Sequence, residues 1–250
     1  MSRQNRKLKD IRRLRRCKDD RALLEGPRLV AEALASGVQL ETVLVTPDFA
    51  ADEGSRVLLA RLAEPPTEVD PTLFAELGDA DSPQGILAVA RLPERGVETL
   101  PEDAGLILYL DGLQDPGNLG AVARVAEAAG ADALALAPGT VHRNHPRALR
   151  GSAGSLLRLP VASDATTEAV ARRLPDLPWA ALATRDGTPL WDALLPHRLV
   201  LALGAETGLS PAVAARASIA LTIPLAPPVE SLNAAVAAGI VLFEIARRRG

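Results

Sequence analysis

The chain has one cysteine, Cys17, in 250 residues. It can therefore form no intramolecular disulfide and cannot supply the several thiols of a structural zinc site. Aromatics are nearly as scarce, with two Trp, one Tyr and three Phe, which excludes stacking of bases on aromatic platforms as the main mode of recognition. No apolar run reaches the roughly 18 residues of a membrane-spanning helix, and the opening MSRQNRKLKDIRRLRRCKDD lacks the apolar stretch of a secretory leader. The expectation is a cytoplasmic protein with no membrane or metal partner. Packing must then hold the fold, and 48% hydrophobic residues supply the material.

Negative charge is in slight excess, with a net −3, but it is unevenly distributed. Residues 1–28 carry eleven Arg and Lys against four acids, a local +7 that leaves −10 for the remainder. Such a block suits a polyanion, because each Lys or Arg that meets a phosphate releases counterions. It equally suits a solvated basic tail.

Along the chain, Pro27, the pattern Leu29, Val30, Ala33, Leu34 and the stop at Gly37 read as a short amphipathic helix. ETVLVT (41–46) and GILAVAR (85–91) read as strands, residues 52–63 as helical, and Asp70-Pro71 as a helix start. A polar stretch with two prolines, LPERGVETLPEDAG, reads as a linker. The expected division is a basic segment with a small α/β domain at 1–95, a linker at 96–104 and a second α/β domain at 105–250. There, strand LILYL, a helix from Asn118 to Ala129 and strand ALALA form a βαβ unit, which implies a parallel sheet. Further strands are expected at 179–184, 198–204 and 219–225, and helices near 147–157 and 165–174. A final helix from Ser231 to Arg248 is expected to be capped by Ser231 and to carry Leu232, Val236, Ile240 and Phe243 on one face.

Three constellations could carry chemistry. In the first, Asp115-Pro116-Gly117-Asn118-Leu119-Gly120-Ala121-Val122-Ala123-Arg124, glycines allow close backbone approach and a helix N-terminus offers N–H donors. A dinucleotide fingerprint is disfavoured, because the G-x-G-x-x-G spacing is absent and no acid ends ALALA. The second, Leu201 to Pro211, joins a strand to a helix through a glycine turn; the third runs from Ile223-Pro224-Leu225 to Val229-Glu230-Ser231-Leu232-Asn233. Each alone is compatible with an ordinary turn. His142 and His145 lie three apart with no Cys or acid beside them, which disfavours a metal site and leaves surface contacts with Arg143 and Arg147.

Taken together, Asn118, Gly120 and Arg124, then Gly204, Glu206, Gly208 and Leu209, then Ile223, Pro224, Ser231, Leu232 and Asn233 resemble, in order, the three motifs of SpoU (TrmH-like) RNA 2'-O-ribose methyltransferases of the SPOUT superfamily. Arg150-Gly151-Ser152-Ala153-Gly154-Ser155 resembles the segment between the first and second motifs. Glu25-Gly26 and Ser82-Pro83-Gln84-Gly85 resemble a small substrate-binding domain shared with ribosomal proteins. One departure is a single residue, Thr207, between Glu206 and Gly208, where the family usually has two.

The resemblance implies an α/β SPOUT domain with a deep trefoil knot, a homodimer with a shared active site, and S-adenosyl-L-methionine held by Leu203, Gly204, Ala205, Gly208, Ile223, Leu225, Leu232 and Asn233. It implies catalysis by Arg124, supported by Asn118, Glu206, Ser231 and Asn233, and with an RNA substrate the basic residues Arg12, Arg13, Arg15, Arg16, Arg28, Arg143 and Arg150 become the expected RNA contacts. Ribosomal RNA is favoured over tRNA as the target. The alternative is an RNA-binding protein of the same fold without catalysis.

Overall fold

The computed structural model describes residues 6–14, 20–80, 82–93, 95–183, 186–205 and 208–249. Arg15, Arg16, Cys17 and Glu206, all named above, lie outside the described residues. In chain order the elements begin with α1 (Arg6–Leu14), β1 (Arg21–Glu25), α2 (Pro27–Ala35), β2 (Leu40–Val45), α3 (Pro47–Ala51), α4 (Glu53–Leu59), β3 (Thr67–Glu68), α5 (Pro71–Ala75) and β4 (Ile86–Arg91). They continue with β5 (Leu106–Asp111), α6 (Pro116–Ala128), β6 (Ala133–Leu136), α7 (Pro146–Ser152), α8 (Ser155–Arg158), β7 (Val161–Ala162) and α9 (Thr167–Arg173). The last are β8 (Trp179–Leu182), β9 (Thr188–Pro189), β10 (Leu199–Gly204), α10 (Pro211–Arg216), β11 (Ile219–Thr222) and α11 (Ala234–Arg249).

These elements form two compact units. The first joins the described residues of Met1–Pro93 to His142–Arg158, so α7 and α8 belong with the N-terminal elements although they follow β6 in sequence. Its sheet has the order β1-β4-β2-β3, antiparallel except for β2 with β3. Within the basic N-terminus, α1 is folded into this unit. Leu8, Ile11 and Leu14 recur every three residues along α1 and are buried with Leu23, Leu44, Phe74 and Leu77. Arg12 pairs with Glu76 and Arg21 with Asp10, while Arg13 stays exposed. The interleaved charges conceal this apolar stripe in the sequence.

The same unit changes the reading of Arg143. Arg143, expected to face RNA, is 8% exposed and donates to the Leu156 carbonyl at 2.7 Å, holding a turn from inside. His145 is the cap of α7, accepting from Arg147 N at 3.2 Å, and His142 accepts from Asn144 N at 3.1 Å. Both imidazoles are thus engaged with backbone. Arg28 and Arg150 are exposed, and Arg150 reaches Glu25 at 3.4 Å.

The second unit, Glu94–Val141 with Leu159–Gly250, holds a seven-stranded sheet of order β7-β6-β5-β10-β8-β11-β9, parallel in every pairing. Its inner strands, LILYLD and LVLALG, are buried almost throughout, as parallel sheets covered on both faces require. The Tyr109 and Trp179 rings lie 5.0 Å apart at 58°. Burial, with Asp111 and Glu168 nearby, pushes the Tyr109 phenol above its usual range. The stretch expected to be a linker is packed into this core: Leu100 and Ala104 are buried, and their carbonyls accept from the Arg173 and Arg198 guanidinia.

Helix α11 departs from expectation at its cap. It starts at Ala234, and Asn233 rather than Ser231 caps it, accepting from Ala235 N at 2.9 Å and Val236 N at 3.4 Å. Its buried face is Ala237, Ala238, Val241, Leu242 and Ile245. Val236 and Phe243, expected on one face, both lie on the opposite, outward side and are 52% and 53% exposed.

The folding of α1 into the first unit gives a direct test. Leu8→Ala should destabilise that unit by about 2–5 kcal/mol, the usual cost of emptying a fully buried leucine site. Urea unfolding measures this, and a change below about 0.5 kcal/mol, as for an exposed site, would mean that α1 is peripheral.

Candidate active site

Parallel pairing throughout puts all seven carboxyl ends at one end of the sheet, where open α/β sheets bind ligands. There the segments leaving β8, β10 and β11 enclose a cavity of about 360 Å³, within the range of small-molecule sites. Leu182, Ala183 and Asp186 come from the β8 exit, and Leu203, Gly204, Ala205, Gly208 and Leu209 from the β10 exit. Ile223, Leu225, Glu230, Ser231 and Leu232 follow β11, and Ala234 and Ala237 of α11 complete the wall. The lining is largely apolar. Its charged members among the described residues are the carboxylates Asp186 and Glu230.

The turn after β10 needs its glycines. A Cβ on Gly204 would stand 2.5 Å from the Gly208 carbonyl oxygen and 2.9 Å from Leu209 N, so the chain folds back onto the strand end only because that Cβ is missing. Gly208 has φ +96, a conformation that other residues rarely adopt, and its N–H donates to the Ala205 carbonyl at 2.8 Å. Beneath this turn lies Asp111, last residue of β5 and opposite Gly204 in register. Its carbonyl accepts from Ala205 N at 3.0 Å, and its carboxylate accepts from Ser210 N at 2.6 Å.

The first and third constellations meet through their asparagines. Asp115 caps α6, accepting from Asn118 N at 2.7 Å, and the Asn118 side-chain oxygen accepts from Asn233 Nδ2 at 2.9 Å. Asn233 therefore caps α11 and ties it to α6 at once. It does not line the cavity, whereas Ser231 does. Arg124, on the same helix as Asn118, is exposed, with no hydrogen bond or ion pair among the described residues.

Leu203, Gly204, Ala205, Gly208, Ile223, Leu225 and Leu232, expected together from sequence, thus share one cavity. Sequence reasoning missed Asp111, Leu182, Ala183 and Asp186, and gave Glu230 a place in the third constellation but no role. The rule that ligands sit at strand carboxyl ends, applied to the strand beginning at Trp179, would have found the β8 exit. Among the described residues, no three His, Cys, Asp or Glu side chains are placed to hold a metal ion, and no helix is long and apolar enough to cross a membrane.

Residues 105–243 match the model of the SpoU rRNA Methylase family, and residues 3–88 match an MRM3-like substrate binding domain. The chain belongs to the SpoU rRNA methylase family. It is 31% identical to the 23S rRNA (guanosine(2553)-2'-O)-methyltransferase RlmP of Bacillus subtilis, over 98% of this chain and 97% of that protein. It is 30% identical to the 23S rRNA (uridine(2479)-2'-O)-methyltransferase of Streptomyces viridochromogenes, over 91% of this chain and 83% of that protein. Among solved structures, the SpoU methyltransferase AviRb of S. viridochromogenes in complex with AdoMet superposes with a TM-score of 0.88 at 27% identity, covering 98% of both chains. An AdoMet-bound rRNA methyltransferase from Sinorhizobium meliloti gives 0.85 at 28% identity, covering 99% of this chain and 97% of that one.

The close backbone approach at Gly204 can be tested alone. Gly204→Ala should force the turn off the strand end, at about 1–3 kcal/mol for an overpacked contact, and raise amide hydrogen exchange at Gly208 and Leu209. Unchanged exchange there would show that the turn has room for a side chain.

Proposed function

We propose that this SpoU-family chain methylates the 2'-hydroxyl of a ribose in ribosomal RNA, using S-adenosylmethionine. The observation that carries the reading is the cavity at the carboxyl ends of β8, β10 and β11, where the segments of the second and third motifs meet the β8 exit. The residues there fit the cofactor. Apolar walls from Leu182, Leu203, Ile223 and Leu232 suit the adenosine, and the Asp186 and Glu230 carboxylates suit a cationic ligand. The glycine turn at Gly204 and Gly208 lets main chain approach the ligand closely. When bound, this group supplies an already activated methyl.

The protein's task is then to position the ribose hydroxyl and to favour its alkoxide. An arginine stays protonated at any working pH, so Arg124 acts as a fixed positive charge, holding the adjacent phosphate and stabilising the alkoxide, rather than as a base. Its exposure leaves it accessible to RNA. Asn118 and Asn233 tie α6, which carries Arg124, to α11, and Glu206 keeps the supporting role that the family motif gives it. The exposed Arg13, Arg28 and Arg150 contribute phosphate contacts, which position RNA without reading its sequence. Ribosomal RNA is preferred because RlmP and the S. viridochromogenes enzyme are both named for 23S rRNA.

The reading includes two further family features. One is a trefoil knot through the segments that enclose the cavity. The other is a homodimer, supported by the outward face of α11, where Val236 and Phe243 are half exposed and Ile240 lies between them at helical spacing.

Mapping 2'-O-methyl sites in total RNA from a strain lacking the gene, beside its parent, tests the function. One ribosomal site should lose its methyl; loss confined to tRNA would contradict the substrate, and no loss would contradict the activity. With purified protein, Arg124→Ala should lower kcat by about 10²–10³ while cofactor affinity stays within about twofold; retained turnover would remove Arg124 from catalysis. Phe243→Glu should shift the protein to a monomer in analytical ultracentrifugation, and an unchanged sedimentation coefficient would place any dimer contact elsewhere.

A further inference from the structure

We propose that Asp111 is a positioning residue for methyl transfer, gripping the cofactor turn at both ends without touching the cofactor. The inference rests on reading the cavity as the S-adenosylmethionine site. Asp111 closes β5, is 8% exposed, and is not among the residues lining the cavity. Yet the described residues on both sides of positions 206–207 are hydrogen-bonded to it, Ala205 N to its carbonyl at 3.0 Å and Ser210 N to its carboxylate at 2.6 Å.

Local chemistry explains why a carboxylate stands here. Ser210 is the cap of α10, so its own N–H precedes the helix and has no partner within it; its hydroxyl is occupied in accepting from Val213 N at 3.4 Å. The next residue, Pro211, has no N–H to offer. The Ser210 N–H is thus the donor by which the end of the turn can be fixed to the sheet. An ionised carboxylate only accepts, and its charge-assisted bond is shorter and roughly twice as strong as a neutral one. Between the two anchored ends, Gly208 and Leu209 form part of the cavity wall. Releasing the Ser210 end would let that wall move while β5 and β10 remain paired from Leu106 to Asp111.

The test uses the full chain, with S-adenosylmethionine titrated by calorimetry and kcat and KM measured for cofactor and RNA separately. Asp111→Ala should weaken cofactor binding about tenfold or more, as expected for losing a buried hydrogen bond to a charged group, with the KM for RNA within about twofold. Asp111→Asn keeps an acceptor oxygen and should recover most of the affinity. Ser210→Pro removes the donor from the other side; Ser210 has φ −65 and ψ 154, which proline can adopt. Measured against Ser210→Ala, which removes only the capping hydroxyl, it should reproduce the Asp111→Ala loss, and adding Asp111→Ala to Ser210→Pro should weaken binding no further.

Cofactor binding by Asp111→Ala within about twofold of the parent would overturn the proposal, as would no recovery in Asp111→Asn, or equal losses for cofactor and RNA. If Asp111→Ala does not fold, parent-like affinity in Ser210→Pro overturns it. A parent protein that binds no S-adenosylmethionine would instead overturn the cofactor reading itself, and this inference with it.

Discussion

The parallel pairing of β5 with β10, in unbroken register from Leu106↔Leu199 to Asp111↔Gly204, is the constraint on which the rest of the second unit depends. Both strands are buried almost throughout, so the register cannot slip by one residue without exchanging the two faces of the sheet. The pairing ends with Asp111 beside Gly204. The carboxylate that anchors the next turn and the glycine that admits it are therefore set by the same ladder. The site is a consequence of where the strands stop.

Around that ladder, polar groups act chiefly as fasteners. Asn233 caps α11 and bonds Asn118, so the ends of the first and third motifs are held by one amide. Arg248 donates to the carbonyls of Leu190, Trp191 and Ala193 and to Glu244. Arg247 and Arg248 together hold the Glu244 carboxyl at about 2. In the first unit the basic segment does similar work, since α1 buries Leu8, Ile11 and Leu14 and spends Arg12 on Glu76. The surplus of positive charge seen in sequence is thus only partly available to an RNA partner.

The inner strands were legible because LILYL and LVLALG are continuous apolar runs, and the glycine turns because few residues can replace glycine at a positive φ. The two-residue strands β7 and β9 are too short to leave a pattern, and β1 follows directly on the basic block. Helix α11 is apolar on two sides, and periodicity could not say which one turns inward. Arg143 looks like a surface residue by type and is buried by context. Asp111 carries no motif at all: its importance comes from a contact 99 positions along the chain, which only the fold creates.

The central claim is that the cavity after β8, β10 and β11 is a cofactor site. The most direct measurement is a crystal structure of the protein grown with S-adenosylmethionine. The account predicts the ligand in that cavity, with its adenosine against the turns at Gly204–Leu209 and Ile223–Leu232. Density for it elsewhere on the chain, or a cavity that stays empty at saturating cofactor, would contradict the account.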